Sequence, residues 1–390
     1  MTTISEYPPP LGDRRVVALD VARLYGMVLV YYGHIIEQVM NLGYETAGMQ
    51  YKFIYSFHMP FFFLVAGYVA KPEKLFLKVG EFFRRLAASR LVPYFFFSLL
   101  FLVLSLMIPG NFAALGPPPY TLQGYAAGLV RTLLGFPVFN IPMWFMASLV
   151  SVEVLHYLVG RHMRTNKRIV LAAVCFYLIG YYINLDFQFL QFDKIFRWNY
   201  WFIQEAPVGY AFYLVGILLR RRGVFLVNHS EQEKRGGSRT LLLGAAACCL
   251  VVWLTYNLNT GPFRYFDAVV IVLSAHGNVF WFPFTALVGS LMLLLLARAS
   301  GEHRFLAFMG RNVLTLFILN GVFYHFLNIP FAKWIVGSLP ANALVVTAAT
   351  AALTALSLAA CLPLVWFFNK YLPQVVGRPQ KDGPLLPRLL

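Results

Sequence analysis

Residues able to carry out proton and phosphate chemistry are concentrated in one apolar stretch near the start of the chain. The stretch ALDVARLYGMVLVYYGHIIEQV (18–39) contains Asp20, Arg23, His34 and Glu37. Asp20 and Arg23 are three residues apart, as are His34 and Glu37, so each pair would share one face of a helix. Eleven residues separate Arg23 from His34, which corresponds to about 16 Å of helix at 1.5 Å per residue. A single helix would therefore present a cation near one end and an imidazole near the other.

A second histidine stands where another apolar stretch begins, in YSFHMPFFFLVAGY (55–68). If the first stretch runs one way and the second returns, His58 and His34 lie at similar depths. Pro60 costs little near the start of a helix, because an amide there would have no helical partner. Imidazole accepts a proton near neutral pH. We therefore expect His34 to be a catalytic base oriented by Glu37, with His58 beside it in the same cavity.

The elements that position these residues are predicted to be transmembrane helices. Hydrophobic residues make up 59% of the chain and charged residues only 12%. A soluble domain with so few charges could not cover its surface, whereas lipid accepts apolar side chains on every face of a helix. The sequence predicts an all-α fold, a polytopic membrane helical bundle in contact with lipid.

Ten stretches are long enough to cross about 30 Å of hydrocarbon. We predict transmembrane helices over residues 16–40, 53–70, 91–109, 142–160, 169–186, 202–219, 240–258, 278–297, 307–328 and 343–368. Two further segments, 121–136 and 267–277, are too short or too interrupted to span, and we expect them to be interfacial or re-entrant.

The basic residues predict the orientation of the bundle. Most of the 32 Lys and Arg residues fall in alternate connecting segments, as expected if those segments are cytoplasmic. Both termini then lie in the cytoplasm. This orientation and contact with anionic lipid headgroups explain the net charge of +16, so no nucleic-acid partner is expected.

No linker divides the chain, so we predict one membrane-embedded domain over residues 1–390, with a transmembrane core of about 14–370. All four cysteines fall within predicted spans: Cys175, Cys248, Cys249 and Cys361. Neither a disulfide framework nor a metal site is therefore expected. Glu153 and His156 share a face of the fourth span and are expected to pair.

The first hundred residues resemble a known family. The R-x10-H spacing from Arg23 to His34, the sequence FHMPFFFLVAGY (57–68) and a basic loop leading into RLVPYFFF (90–97) are similar to the acyltransferase-3 family of integral membrane O-acyltransferases. The likeness covers about residues 14–328.

Two later stretches extend the resemblance. PMWFMASL (142–149) is similar to the family's Trp-Phe stretch and contains Trp144. FLAFMGRNVLTLFILNGVF (305–323) is similar to its penultimate helix. Many members carry a histidine in that helix, whereas this chain has Asn320, with His325 five residues further on. The resemblance makes these three residues candidates for contact with substrate.

The resemblance implies a ten-helix multi-pass protein of a bacterial cytoplasmic (inner) membrane. Such a protein moves an acyl group, usually acetyl, from cytosolic acyl-CoA to a hydroxyl of an extracytoplasmic glycan or lipid-linked sugar. The phosphates of CoA require cations on the cytosolic side, and we expect Arg23 with Arg84, Arg85 and Arg90 to bind them. The family's R-x-x-R pair is not reproduced, because Ala87 occupies the position three residues before Arg90.

A transporter or flippase for a polar or lipid-linked substrate is the alternative. Basic residues and histidines inside a bundle also mark substrate and proton routes. Against it, the two halves of the chain show no evident inverted symmetry, and the intramembrane polar residues are concentrated in the first two spans.

Overall fold

The computed structural model describes residues 16–116, 118–185, 199–224, 237–263, 267–301 and 303–390. Within these residues the chain is helical, apart from connecting segments and one isolated β-bridge between Val270 and Ala275. The amino-terminal arginines, Arg14 and Arg15, whose cytoplasmic position the charge pattern predicts, lie outside the described residues.

The described α-helices are numbered in chain order. They are α1 (Val17–Asn41), α2 (Glu45–Tyr55), α3 (His58–Tyr68), α4 (Val79–Leu86), α5 (Val92–Met107), α6 (Leu122–Leu133), α7 (Trp144–Val159), α8 (Asn166–Leu185), α9 (Ala206–Arg221), α10 (Gly237–Thr255), α11 (Trp281–Ala299), α12 (Arg304–Arg311), α13 (Val313–Val322), α14 (Asn328–Ser338), α15 (Ala343–Ala360) and α16 (Leu362–Tyr371). Two π-helical turns interrupt them, the first π turn (Ala87–Leu91) before α5 and the second π turn (Phe323–Leu327) before α14.

Eight helical stretches of the described residues are long and apolar enough to cross a membrane. They are Val79–Met107, Ile141–His162, Asn166–Leu185, Tyr200–Arg221, Gly237–Leu258, Trp281–Ala299, Val313–Ser338 and Ala343–Tyr371. Each overlaps one of the last eight predicted spans. The prediction of an all-α polytopic bundle is confirmed, while the total of ten spans and the side of the termini stay predictions.

The first two predicted spans differ from each other in the structure. The 25 residues of α1 extend about 37 Å at 1.5 Å per residue, enough to cross the hydrocarbon. The prediction of one continuous helix over 53–70 is wrong, because the chain forms α2 and then α3, with a break at Ser56 and Phe57. Pro60 favours this break, since a proline cannot donate to the carbonyl four residues before it. His58 is therefore the first residue of a helix.

The two segments predicted not to span are short in the structure. Residues 121–136 contain α6, whose 12 residues extend about 18 Å. Residues 267–277 form the turn closed by the Val270–Ala275 bridge, and its buried side chains pack with Ile35, Val39 and Ile335.

Helix α1 lies at the centre of the bundle, where it packs against α2, α3, α11, α12, α13, α14 and α15. We call the end at which α1 begins the inner end and the end at which it finishes the outer end. Asp20 and Arg23 lie near the inner end and His34 and Glu37 near the outer end. One packed helix therefore holds Arg23, near the inner end, and His34, near the outer end, at a fixed separation.

Glycines allow the closest helix contacts. A Cβ atom at Gly216 of α9 would lie 1.9 Å from the carbonyl oxygen of Leu64 in α3, and one at Gly67 of α3 would lie 1.9 Å from the carbonyl oxygen of Tyr213. Two helices can approach backbone to backbone only where such small residues face each other. The position of α3, and of His58 at its start, depends on this contact.

We expect Gly216→Ala to destabilise the protein by about 2 kcal/mol or more, because the added methyl group overlaps the Leu64 carbonyl. Overpacking of this kind typically costs about 1–3 kcal/mol. The thermal unfolding midpoint in detergent measures the effect. Gly80→Ala in α4 is the matched control, because nothing lies within 4 Å of a Cβ atom at Gly80. Equal midpoints for the two variants would show that α3 and α9 do not depend on this contact.

Candidate active site

A cavity of about 250 Å³ lies at the inner end, and we call it the inner cavity. Helix α1 contributes Arg23 and Met27, the first π turn contributes Arg90, and α12 ends in the cavity with Arg311. The remaining lining residues are Phe62, Val65, Ala66, Val69, Phe145, Met146, Leu149, Gly310, Val313, Leu314 and Phe317. Three guanidinium groups from three separate parts of the chain thus face one mainly apolar cavity.

The polarity of the inner cavity changes with depth. Arg23 lies one turn nearer the inner end of α1 than Met27 does, and Arg311 precedes α13, in which Phe317 lies more than one turn deeper. Three phenylalanines close the deep end, where the ring of Phe145 lies 5.8 Å from that of Phe62 and 5.9 Å from that of Phe317. The cavity therefore has a cationic mouth and an aromatic floor.

The backbone places Arg23 and Arg311 together. A Cβ atom at Gly310 would lie 1.8 Å from the carbonyl oxygen of Asp20, so α12 touches the backbone of α1 at this point. Arg23 Nη1 also donates a hydrogen bond of 3.1 Å to Asp20 Oδ1, which fixes its side chain. Arg311 was not among the predicted site residues. Nothing in its local sequence distinguishes it from a basic residue that only orients the protein in the membrane.

Arg90 is held by a buried carboxylate. Its Nη2 and Nε atoms donate to Oε1 of Glu153 at 2.7 and 3.1 Å, and Lys74 Nζ donates to Oε2 of the same group at 3.3 Å. Only 8% of the Glu153 side chain is exposed. The expected pairing of Glu153 with His156 is wrong, since Glu153 binds these two cations and His156 Nδ1 lies 3.1 Å from the Tyr210 hydroxyl.

The other two arginines of the basic loop lie elsewhere. Arg84 and Arg85 both donate to Glu81, at 2.9 and 2.5 Å, and their side chains are 59% and 47% exposed. Neither lines the inner cavity. Of the three loop arginines predicted to bind a donor, the structure brings only Arg90 into the cavity with Arg23.

In the outer half, His34 pairs with Asn320 of α13. His34 Nδ1 lies 2.6 Å from Oδ1 of Asn320, and its ring meets that of Tyr324 edge-on at 5.1 Å. Since the amide oxygen can only accept, Nδ1 carries the hydrogen and Nε2 has a free lone pair. The expected orientation of His34 by Glu37 is wrong: Glu37 instead accepts from the Tyr55 hydroxyl at 3.4 Å.

Asn320 is fully buried, and its side-chain nitrogen has no hydrogen-bond partner among the described residues. Buried amide groups are normally satisfied, so this donor beside a histidine is available to a water molecule or a ligand atom. Tyr31 links the same two helices one turn lower, where its hydroxyl donates to the Leu316 carbonyl at 2.7 Å. The relative register of α1 and α13 is therefore fixed on the inner side of this pair.

His58 is bound to the end of the preceding helix. Its Nδ1 donates to the carbonyl oxygen of Ile54 at 2.9 Å, and its ring packs edge-on against Tyr55 at 4.6 Å. Tyr55 also packs on α1, where its ring lies 3.1 Å from a Cβ atom placed at Gly33, so His58 lies beside the turn of α1 that carries His34. Because Nδ1 is committed to a carbonyl, the neutral ring of His58 can only accept a further hydrogen bond, through Nε2.

His325 and Trp144 complete the predicted set. His325, on the second π turn, donates from Nδ1 to the Asn111 carbonyl at 2.7 Å and stacks on Phe112 at 4.3 Å. Tyr324 packs against both His34 and His325, with ring centroids 5.1 Å apart in each case, and Nε2 of His325 has no partner among the described residues. Trp144 packs in the core against Phe202, and it is the next residue, Phe145, that lines the inner cavity.

Comparison with known proteins assigns the chain to a family. The acyltransferase-3 family model, described as an acyltransferase domain, matches residues 16–366. No curated protein and no solved structure gives a significant match to the chain. Because the family model covers nearly the whole chain, the chain belongs to the acyltransferase-3 family and is an integral membrane acyltransferase.

We expect Glu153→Gln to destabilise the protein by about 3–5 kcal/mol, as when one partner of a buried ion pair is removed. The change leaves Arg90 and Lys74 without their counter-charge. Glu81→Gln is the matched control, because Glu81 also binds two basic side chains but at the surface, where ion pairs contribute little. The thermal unfolding midpoints of both variants test this, and a Glu153→Gln midpoint no lower than that of Glu81→Gln contradicts it.

Proposed function

We propose that this protein is an O-acyltransferase that takes an acyl group, acetyl in the simplest case, from cytosolic acyl-CoA. The acceptor is a hydroxyl of a glycan or lipid-linked sugar on the other side of a bacterial cytoplasmic membrane. One observation carries the proposal: α1 lines the inner cavity with Arg23 and, eleven residues further on, holds the His34–Asn320 pair.

The chemistry of the inner cavity supports a CoA thioester as donor. Guanidinium groups bind phosphate through charge-assisted, paired hydrogen bonds, and Arg23, Arg90 and Arg311 face the cavity at its mouth. The apolar walls suit a slender pantetheine arm, and the rings of Phe62, Phe145 and Phe317 would have to turn aside for its thioester to pass. The arm would extend along α1 toward His34, about 16 Å from Arg23.

The outer half supplies the groups that acyl transfer to a hydroxyl requires. Nε2 of His34 accepts the proton of the attacking hydroxyl, while the hydrogen on Nδ1 stays bound to Asn320. The new bond forms between the hydroxyl oxygen and the acyl carbon, and the carbon–sulfur bond breaks. The proton then passes from His34 to the departing sulfur.

Asn320 also suits the oxyanion that forms on the acyl oxygen. Its unpartnered amide nitrogen can donate to that oxygen where negative charge develops. His58, expected beside His34, has two roles open to it: orienting the acceptor or stabilising the oxyanion. Because its Nδ1–H is bound to the Ile54 carbonyl, we assign it the first role, in which Nε2 accepts a hydrogen bond from the sugar.

Mass spectrometry of envelope glycans and lipids, from cells with and without the gene, tests the proposed reaction. A gain of one acyl unit in the presence of the gene would identify both the acyl group and the acceptor. Labelled acetyl-CoA added to inside-out membrane vesicles should transfer its label to the same acceptor. A chain that inserts normally but transfers no acyl group to any envelope component contradicts the proposal.

His34→Ala should abolish label transfer while acetyl-CoA binding, measured by calorimetry, changes less than twofold, because His34 lies far from the arginines. Asn320→Asp should lower kcat by about 10² to 10³, as does the loss of other oxyanion donors, because it keeps the oxygen facing His34 but removes the N–H group. His162→Ala at the exposed inner surface is the control. Activity of His34→Ala equal to that of the control would exclude His34 as the base.

Arg311→Gln should raise the KM for acetyl-CoA about tenfold, with a smaller effect on the KM for acceptor, because the residue lies at the inner end. Arg90→Gln should act in the same direction, whereas Arg84→Gln should have a much smaller effect than either. The exposed Arg168 of α8 provides the control, Arg168→Gln. If all four variants give the same KM, these arginines serve only to orient the protein in the membrane.

A further inference from the structure

A second cavity of about 210 Å³ adjoins the inner cavity. The two cavities share Ala66, Val69 and Arg90, so Arg90 stands in the wall between them. The other lining residues of the second cavity are Ala70, Lys71, Lys74, Leu75, Phe82, Glu153, His156, Tyr157 and Tyr213. None of these residues was predicted to bind substrate.

The inner cavity is too small to hold a whole CoA thioester. Pockets for ligands of drug size enclose about 300–1,000 Å³, and the inner cavity is smaller than this range. A CoA thioester consists of a thin arm and a bulky nucleotide, joined by a diphosphate. Two small cavities on either side of one arginine match that division.

The charges of the second cavity suit a phosphate. Lys71, Lys74 and Arg90 face a single carboxylate, that of Glu153, so the lining has an excess of positive charge. Glu153 already binds Lys74 and Arg90 through separate oxygens. Lys71 is exposed and makes no ion pair with any described residue. Its ammonium group can therefore bind an incoming phosphate without breaking an internal contact.

The aromatic residues of the same cavity suit a base. Tyr157 stacks on Phe82 with ring centroids 4.0 Å apart, and the Arg161 guanidinium lies 5.7 Å over the Tyr157 ring, so these rings form an apolar wall of the cavity rather than an open stacking platform. Tyr213 contributes a further ring to the lining. Apolar and aromatic walls with a few polar groups are typical of sites that bind small organic ligands, and the adenine would lie against this wall.

We propose that the second cavity binds the nucleotide end of the donor, a 3′-phosphorylated adenosine. Arg90 binds the diphosphate at the boundary between the cavities, Lys71 and Lys74 bind the ribose phosphate, and the aromatic residues contact the adenine. This rests on the proposed function, because it assigns a position to one part of the proposed donor. The enzyme then distinguishes CoA from carriers that offer only the pantetheine arm.

Binding of CoA, dephospho-CoA and pantetheine to the purified full chain tests the proposal by calorimetry. Wild-type protein should bind CoA about tenfold more tightly than dephospho-CoA, which lacks the ribose phosphate. Lys71→Met should weaken CoA binding by a similar factor and leave dephospho-CoA binding within twofold. Lys78→Met is the matched control, since Lys78 is exposed on the same inner surface and does not line either cavity.

The outcomes separate the subsite from the donor itself. If CoA binds but Lys71→Met and Lys74→Met both behave like Lys78→Met, the nucleotide lies elsewhere and the subsite is rejected, while the proposed function stands. If the protein binds none of the three compounds and uses no acyl-CoA, the proposed donor is rejected, and the subsite with it. If Lys71→Met leaves CoA binding unchanged and alters only the binding of phosphatidylglycerol, compared with phosphatidylcholine in nanodiscs, the cavity holds a lipid headgroup. The subsite is then likewise rejected.

Discussion

The packing of α1 is the constraint on which the rest of this structure depends. Seven other helices contact it, and it carries polar side chains that are expensive to place in lipid. Each is satisfied by a different neighbour: Arg23 binds Asp20 within the helix, and His34 binds Asn320 of α13. A shift of α1 by one residue would break the His34–Asn320 contact and the Tyr31–Leu316 hydrogen bond together. The helix therefore fixes both the distance and the relative rotation of the two ends of the site.

The sequence alone was sufficient to predict the features that depend on spacing within one helix. Composition predicted the all-α membrane bundle, and the interval from Arg23 to His34 predicted a helix with chemistry at two depths. Pro60 indicated a helix start near His58, although the full separation of α2 from α3 was missed. A proline in the first turn fits both a continuing chain and a new helix, so the neighbouring packing decides between them.

Contacts between distant segments could not be predicted in the same way. Glu37 was the nearest polar residue to His34 in sequence, but the His34 ring faces α13 and meets Asn320. Arg84, Arg85 and Arg90 have similar sequence surroundings, yet Arg90 alone follows the start of a π turn and binds Glu153. Arg311 reaches the cavity because Gly310 lets α12 touch α1. Such choices depend on helix rotation and close approach, which residue type does not encode locally.

The two π turns have a common effect on the bundle. A π turn holds one residue more than an α turn, so side chains beyond it point in a direction that a regular helix would not give them. The first π turn carries Arg90 and the second carries His325. Arg90 is partly buried and His325 is buried, and both donate to oxygen atoms of other segments. The irregular turns therefore place polar groups in the interior while the helices on either side keep their apolar faces toward lipid.

The three phenylalanines at the deep end of the inner cavity, Phe62, Phe145 and Phe317, bear on whether ions can cross the membrane through the protein. A protein that reaches substrates on both faces could leak ions along its own interior. Here the buried Met27, Val30 and Tyr31 of α1 continue the apolar floor toward His34. An ion entering from the inner end would have to leave its hydration shell to pass them, at a cost of many kcal/mol. In the absence of a bound donor, the apolar floor therefore opposes the passage of ions between the inner and outer ends of the site.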